Sequence, residues 1–183
     1  PSDVTEPDLS LVARQVQRGD RAAFRSLVEH TQRELFRLAA RLMGSTADAD
    51  DVLQDAYVKV HRALGDGQFD GRANLRTWLY RVVTNTALDA LRRRAVRPAG
   101  DDRELPALGA ESCGGAEAQV ALSELARWLD ELPVEQRAAL VLCSVEGLTN
   151  SEAAEVLGVS PGAVEQRLVR ARATLRKKRG GDD

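Results

Sequence analysis

Apolar side chains recur along this chain with the period of an α-helix, and no stretch of useful length alternates as a half-buried strand would. Leu9, Val12, Ala13 and Val16 form a first stripe, Gly19 and Asp20 interrupt it, and Phe24, Leu27, Val28, Leu35, Leu38, Leu42 and Met43 form a second. Gly44 suits the close of that second helix, because glycine takes the left-handed conformation without a Cβ clash. Ser45 then predicts the cap of a third helix, with Asp48 in its first turn to accept free amides and with Val52, Ala56, Tyr57, Val60 and Leu64 as its buried face. The stretch from Gly65 to Gly71 is too rich in glycine to stay helical and reads as a loop. A fourth helix follows from Leu75 to Ala95, with a wide apolar face of Trp78, Leu79, Val82, Val83, Thr86, Leu88 and Leu91, until Pro98 ends it.

Prolines and glycines then accumulate to about residue 118 without a hydrophobic period, which predicts a flexible linker. Beyond it Leu122, Leu125, Ala126 and Leu129 predict one helix, broken at Leu132 and Pro133, and Ala138 to Val145 predict another, stopped by Gly147. The pattern therefore divides the chain into a first helical domain over residues 8–97, a linker over 98–118 and a second helical domain over 119–179. The fold class expected is all-α, two small domains joined by a flexible segment.

The sharpest local signal runs from Leu148 to Leu168. Thr149 followed three residues later by Glu152 is a capping box, Ala153 and Ala154 are small enough to admit a second helix, and Gly158 permits a left-handed turn. Ser160 caps the next helix with Pro161 at its first position, where a missing amide hydrogen is harmless. This is the punctuation of a helix-turn-helix. At about 100° per residue, Val164, Leu168, Ala171 and Leu175 fall on one buried stripe, and Gly162, Gln166, Val169, Arg170 and Ala173 lie opposite. Glutamine pairs with adenine and arginine with guanine at major-groove edges, while Arg167, Arg172 and Arg176 on the flanks can reach phosphates.

Composition sharpens this in one respect. Across 183 residues, 26 Lys and Arg stand against 28 Asp and Glu, so no global basic footprint exists. The positive charge is instead gathered in two places. Arg72, Arg76, Arg81, Arg92, Arg93, Arg94 and Arg97 face only Asp70 and Asp89, and the C-terminal arginines and lysines from Arg167 to Arg179 face only Glu165. In the first region Phe69, Trp78 and Tyr80 lie among Arg72, Arg76 and Arg81, the mixture of rings and cations that single-stranded DNA requires.

Two sets of residues carry a resemblance to a known family. Asp51-Val52-Leu53-Gln54-Asp55-Ala56-Tyr57-Val58-Lys59-Val60, Phe69-Asp70-Gly71 and the helix from Leu75 to Arg94 resemble region 2 of the extracytoplasmic-function (ECF) sigma factors. Leu132 to Leu140, Val145 to Leu148 and the helix-turn-helix resemble region 4 of the same family. The resemblance implies a subunit that binds core RNA polymerase and directs promoter-specific initiation. It implies that Asp51, Gln54, Asp55 and Lys59 meet the β′ coiled coil, and that the second domain rests on the β flap. It further implies that the loop of Phe69, Asp70, Gly71, Arg72 and Asn74 captures a base of the melted −10 strand, with Arg76, Arg81 and Asn85 as strand contacts. The −35 duplex would meet Ser160, Gly162, Glu165, Gln166, Arg167, Val169, Arg170, Arg172 and Arg176. Glu165 stands where the family often has lysine, and its carboxylate can accept a hydrogen bond from cytosine. Asp55 is one carbon shorter than the usual glutamate. An anti-sigma protein is a further implied partner.

Other readings are weaker. An ordinary helix-turn-helix regulator would carry a strand-containing receiver, and a mimic that only sequesters an anti-sigma factor would not need basic DNA-facing helices. The glycines of the loop miss dinucleotide spacing, no phosphate-binding Gly-Lys-Ser/Thr occurs, and His30 and His61 have no evident partners. Asp48-Ala49-Asp50-Asp51 fails as a calcium loop because Val52 and Leu53 fill ligand and glycine positions. No catalytic residue, cofactor or metal is expected. Cys113 and Cys143 lack metal or redox spacing, and no apolar run approaches a membrane span, so a cytoplasmic protein without membrane insertion is expected.

Overall fold

A computed structural model of the chain describes residues 8–71, 74–96 and 127–179, and its regular elements there are all helical. Short polar side chains set where the helices begin. Asp8 accepts from the Ser10 amide at 3.0 Å and opens α1 (Leu9–Gln17). Asp20 accepts from Ala22 and Ala23 at 2.8 and 3.1 Å and opens α2 (Arg21–Met43), which Gly44 closes at φ 67°. Ser45 accepts from the Asp48 amide at 3.2 Å to start α3 (Thr46–Gly65). The Asp48 carboxylate was expected to serve the same free amides. It turns instead to Arg94 at 2.6 Å, because a full opposite charge on the neighbouring helix is the stronger partner.

Asn74 accepts from the Arg76 amide at 2.9 Å at the head of α4 (Leu75–Val96). These four helices form the first lobe, with Leu27, Leu35, Leu38, Val60, Leu79 and Val83 at its centre. Both histidines are engaged within the first lobe. His30 Nδ1 lies 2.7 Å from the Ser26 carbonyl, and the His61 ring stands edge-on to Phe24 at 4.8 Å.

Residues 127–130 are helical, and α5 (Val134–Leu140) opens the remainder of the second lobe. The expected helix from Ala138 to Val145 does not stay α-helical. Val141–Val145 forms a π-helical turn in which the Glu146 amide reaches back to Val141 at 3.0 Å and the Leu148 amide to Leu142 at 3.0 Å, before Gly147 turns the chain at φ 75°. A π turn admits an extra residue and so rotates the chain beyond it. The helix-turn-helix is then completed by α6 (Asn150–Leu157) and α7 (Pro161–Arg179).

The lobes pack on each other. α4 contacts α2 and α3 within its own lobe and α5 and α6 of the other, which explains why its apolar face is so wide. The small Ala153 and Ala154 are buried and admit α4 as well as α7 close to α6. A fully buried leucine or valine contributes about 1.5–3 kcal/mol, and an exposed ion pair about 1 kcal/mol at most. Apolar contact therefore holds these helices together, and charge selects how they meet. No helix among the described residues is long and apolar enough to cross a membrane.

Candidate nucleic-acid interface

The helix-turn-helix is built as its sequence predicts. Thr149 Oγ1 accepts from the Glu152 amide at 3.2 Å, and the Thr149 amide donates to the Glu152 carboxylate at 2.8 Å. The bond from the Thr149 amide, and after it one from the Thr149 hydroxyl to the same carboxylate at 2.8 Å, hold the Glu152 carboxyl below the usual glutamate range. Gly158 turns at φ 65°, and Ser160 accepts from the Ala163 amide at 3.2 Å. Val164, Leu168 and Ala171 are buried, and Leu175 packs against them half-buried. Gly162, Gln166, Val169, Arg170 and Ala173 are all exposed on the opposite face, as are Ser160, Glu165, Arg172 and Arg176 around it. Arg167 is half-buried and acts electrostatically on Glu135 of α5. The result is a rigid rod that presents one glutamine, one arginine and one valine in line, with cations to either side. Such a face fits a major groove.

On the first lobe the expected strand-capture residues fall on different faces. Phe69 is 5% exposed, its ring 5.2 Å from that of Trp78 and its carbonyl bonded to the Gln17 amide at 2.6 Å. In this arrangement Phe69 anchors the loop, and Asp70 and Gly71 stand exposed beside it. Arg72 lies outside the described residues. Arg81 and Asn85 are exposed, one turn apart on α4 and on the side of Asn74. Arg76 points about 140–180° away from them around the helix. Its guanidinium pairs with Glu34 at 2.6 Å, donates to the Tyr80 hydroxyl at 3.1 Å and stands 5.0 Å from that ring. Tyr80 is 1% exposed, which removes it as a stacking surface here, and its hydroxyl donates to Glu34 at 2.6 Å. Burial, with Glu34 and Glu146 beside it, pushes that phenol far above its ordinary pKa. A small cavity of about 100 Å³ between Asn74, Arg76 and Tyr80 on one side and Glu146, Leu148 and Glu152 on the other marks where the lobes meet.

A third surface lies on α3. Asp51, Gln54 and Asp55 are exposed along one side with the half-exposed Val58, while Lys59 donates to Thr86 at 3.0 Å and is thus tied to α4. Asp51 and Asp55 border a groove of about 730 Å³ whose opposite wall carries Arg92, Arg93 and Arg94.

Sequence reasoning missed Glu34, Arg137 and Glu146. Arg137 could have been suspected, since it is a charge set directly before an apolar run.

Two family models and several curated relatives match the chain. The family described as Sigma-70 region 2 matches residues 27–97, and that described as Sigma-70, region 4 matches residues 122–175. The ECF RNA polymerase sigma factor SigM of Mycobacterium tuberculosis is 39% identical over 173 residues, covering 94% of this chain and 85% of SigM. The ECF RNA polymerase sigma-E factor of Escherichia coli is 35% identical over 184 residues, covering 93% of each. Among solved structures, CnrH in complex with the cytosolic domain of CnrY is 32% identical, with a TM-score of 0.69 over 95% of this chain and 98% of that one.

Proposed function

The chain belongs to the extracytoplasmic-function family of sigma-70 RNA polymerase sigma factors, and from that premise we propose how its surfaces divide the work of promoter recognition. The second domain, residues 119–179, reads the −35 duplex through α7. Gln166 and Arg170 meet base edges, Val169 offers an apolar contact, Glu165 accepts from cytosine, and Arg172 and Arg176 meet phosphates. The first domain, residues 8–97, captures the melted −10 strand between the loop at residues 69–74 and the α4 face of Arg81 and Asn85. Asp51, Gln54 and Asp55 dock on the β′ coiled coil, and the second domain rests on the β flap. In this division the chain supplies recognition in the cytoplasm and the core enzyme supplies the chemistry.

One observation carries the reading. Gln166 and Arg170 are exposed directly opposite the buried stripe of Val164, Leu168 and Ala171, so the helix can enter a groove without exposing its core. An anti-sigma protein completes the partner set; CnrH, which resembles the chain along its length, was solved with the cytosolic domain of a second protein.

The test is reconstitution. Core polymerase supplied with the full chain on a library of genomic fragments should start transcription at sites that share an upstream element and fall silent without the chain. Failure to produce chain-dependent starts, from a core enzyme that initiates with another sigma factor, would overturn the proposal.

A further inference from the structure

The loop that follows α3 has little of its own to hold it in shape. Gly67 and Gly71 stand at φ 70° and 74°, and a Cβ at either would meet nothing within 4 Å, so neither position is fixed by packing. Three anchors do that instead. The Gln68 amide donates to the Ala63 carbonyl at 2.8 Å, which ties the loop to the end of α3, and the Phe69 ring lies 5.2 Å from that of Trp78, which ties it to α4. The third comes from a distant part of the chain. Gln17, the last residue of α1, donates its side-chain amide to the Phe69 carbonyl at 2.6 Å across 52 positions of sequence.

That donor is itself firmly placed. Val12, Ala13 and Val16 bury one face of α1 in the first lobe, where it packs on α2, α3 and α4, so the half-buried Gln17 extends from a seated helix. The turn behind it is closed by bonds to the Gln15 carbonyl from the Arg18 amide at 3.0 Å and the Asp20 amide at 3.1 Å. A peptide unit is planar, so holding the Phe69 carbonyl also fixes the direction of the Asp70 amide and of the exposed Asp70 and Gly71 backbone that follows. Gln17 precedes residues 27–97, the stretch matched by Sigma-70 region 2. α1 therefore reaches into that region from outside it.

We propose that Gln17 is a positioning residue for −10 strand capture, its amide holding the Phe69 carbonyl so that Asp70 and Gly71 are set for the strand. What is positioned rests on the −10 role proposed above; the anchor itself does not. A loop already shaped loses less conformational freedom when a base arrives, and it cannot re-form around a base of the wrong shape. Loss of the anchor therefore shows as lost base discrimination.

The test uses the full chain with core polymerase on a promoter recovered by the reconstitution above, with each base of the −10 and −35 elements varied in turn. Gln17→Met keeps an unbranched side chain and removes the N–H donor. It should narrow the ratio of initiation between preferred and substituted bases about two- to ten-fold at a −10 position, the factor that one ordinary hydrogen bond sets. The −35 ratios, core binding and thermal unfolding should stay close to wild type. Gln17→Lys, which restores an N–H donor on an unbranched chain, should keep the wild-type −10 ratios. Unchanged −10 ratios in Gln17→Met would overturn the proposal, and so would equal losses at −10 and −35 or the same loss in Gln17→Lys. A wild type that initiates without preference at any −10 base would instead count against the −10 reading. Hydrogen exchange in the free chain then still decides the anchor: the Gln68 amide should exchange at least twice as fast in Gln17→Met as in wild type, and equal rates would overturn it.

Discussion

Helices α4 and α7 are both long and rich in arginine, yet they spend that charge differently. On α4, Arg76 is held by Glu34, Arg92 by Asp89 and Glu135 at 3.5 and 3.1 Å, and Arg94 by Asp48. On α7, Arg170 and Arg176 are exposed and have no ion pair among the described residues. An arginine already neutralised within the protein releases few counterions when DNA arrives, whereas a free one releases its full share. A count of cations therefore overstates α4 more than α7, where Lys178 is paired with Glu131 but Arg170 and Arg176 are not paired among the described residues. The same contrast divides the acids of α3, where Asp48 is engaged by Arg94 and Asp51 and Asp55 remain open to a partner.

The largest effect should come from those open acids. Asp51→Lys with Asp55→Lys should leave thermal unfolding nearly unchanged, since exposed charges contribute about 1 kcal/mol at most to the fold, and should abolish binding to core polymerase, where reversal at a complementary surface costs about 2–5 kcal/mol. Asp48→Asn, by contrast, should leave polymerase binding close to wild type. Normal binding by the doubly reversed chain would make the α3 patch an ordinary solvated face.

Next in size is the difference between the two helices themselves. Arg170→Ala should weaken binding to a −35 duplex by about 1–3 kcal/mol and relax preference at one base pair, if its contact to the base is bidentate. Arg76→Ala should leave that duplex affinity and its base preference unchanged. Titrations against a set of single-base variants separate the outcomes. A uniform loss for Arg170→Ala would assign it to phosphate, and a base-specific loss for Arg76→Ala would break the contrast between α4 and α7.

How much of this was legible in the sequence depended on the distance between partners. The helix-turn-helix was readable to the residue because Thr149 and Glu152, Gly158, and Ser160 with Ala163 act within three positions of one another. The buried stripes of α1 to α4 were readable for the same reason, since periodicity is local. Arg76 and Tyr80 were legible only as a cation and a ring among others. Their partner Glu34 stands 42 and 46 residues away, and Glu146 stands 105 residues from Arg41, so only the folded chain reveals that these groups meet. The π turn escaped for a different reason. Val141 to Val145 continues the apolar run of α5, so the pattern reads it as more of the same helix, and the wider turn shows only in the bond from the Glu146 amide to Val141. Phe69 could be read equally as loop anchor or base contact, and its packing on Trp78 depends on how the loop folds back over α4.

The smallest expected effect concerns the cap that positions the reading helix. Thr149→Ala removes one side of the capping box and should lower the stability of the second lobe by about 1 kcal/mol, the usual worth of such a cap. Its partner Glu152 adds a pH signature whose sign is fixed. Because the Glu152 carboxyl is held below its ordinary value in the folded chain, its contribution is fully present above that ordinary value and fades as pH falls through the lowered one. Thermal melts of wild type and Glu152→Gln should therefore differ at neutral pH and converge in acid, with the variant the less stable of the two. Arg170→Ala should show no such convergence, since Arg170 takes no part in the capping box. A wild-type advantage that persists undiminished into strong acid would mean that the negative charge of the carboxylate has no part in the strength of the cap.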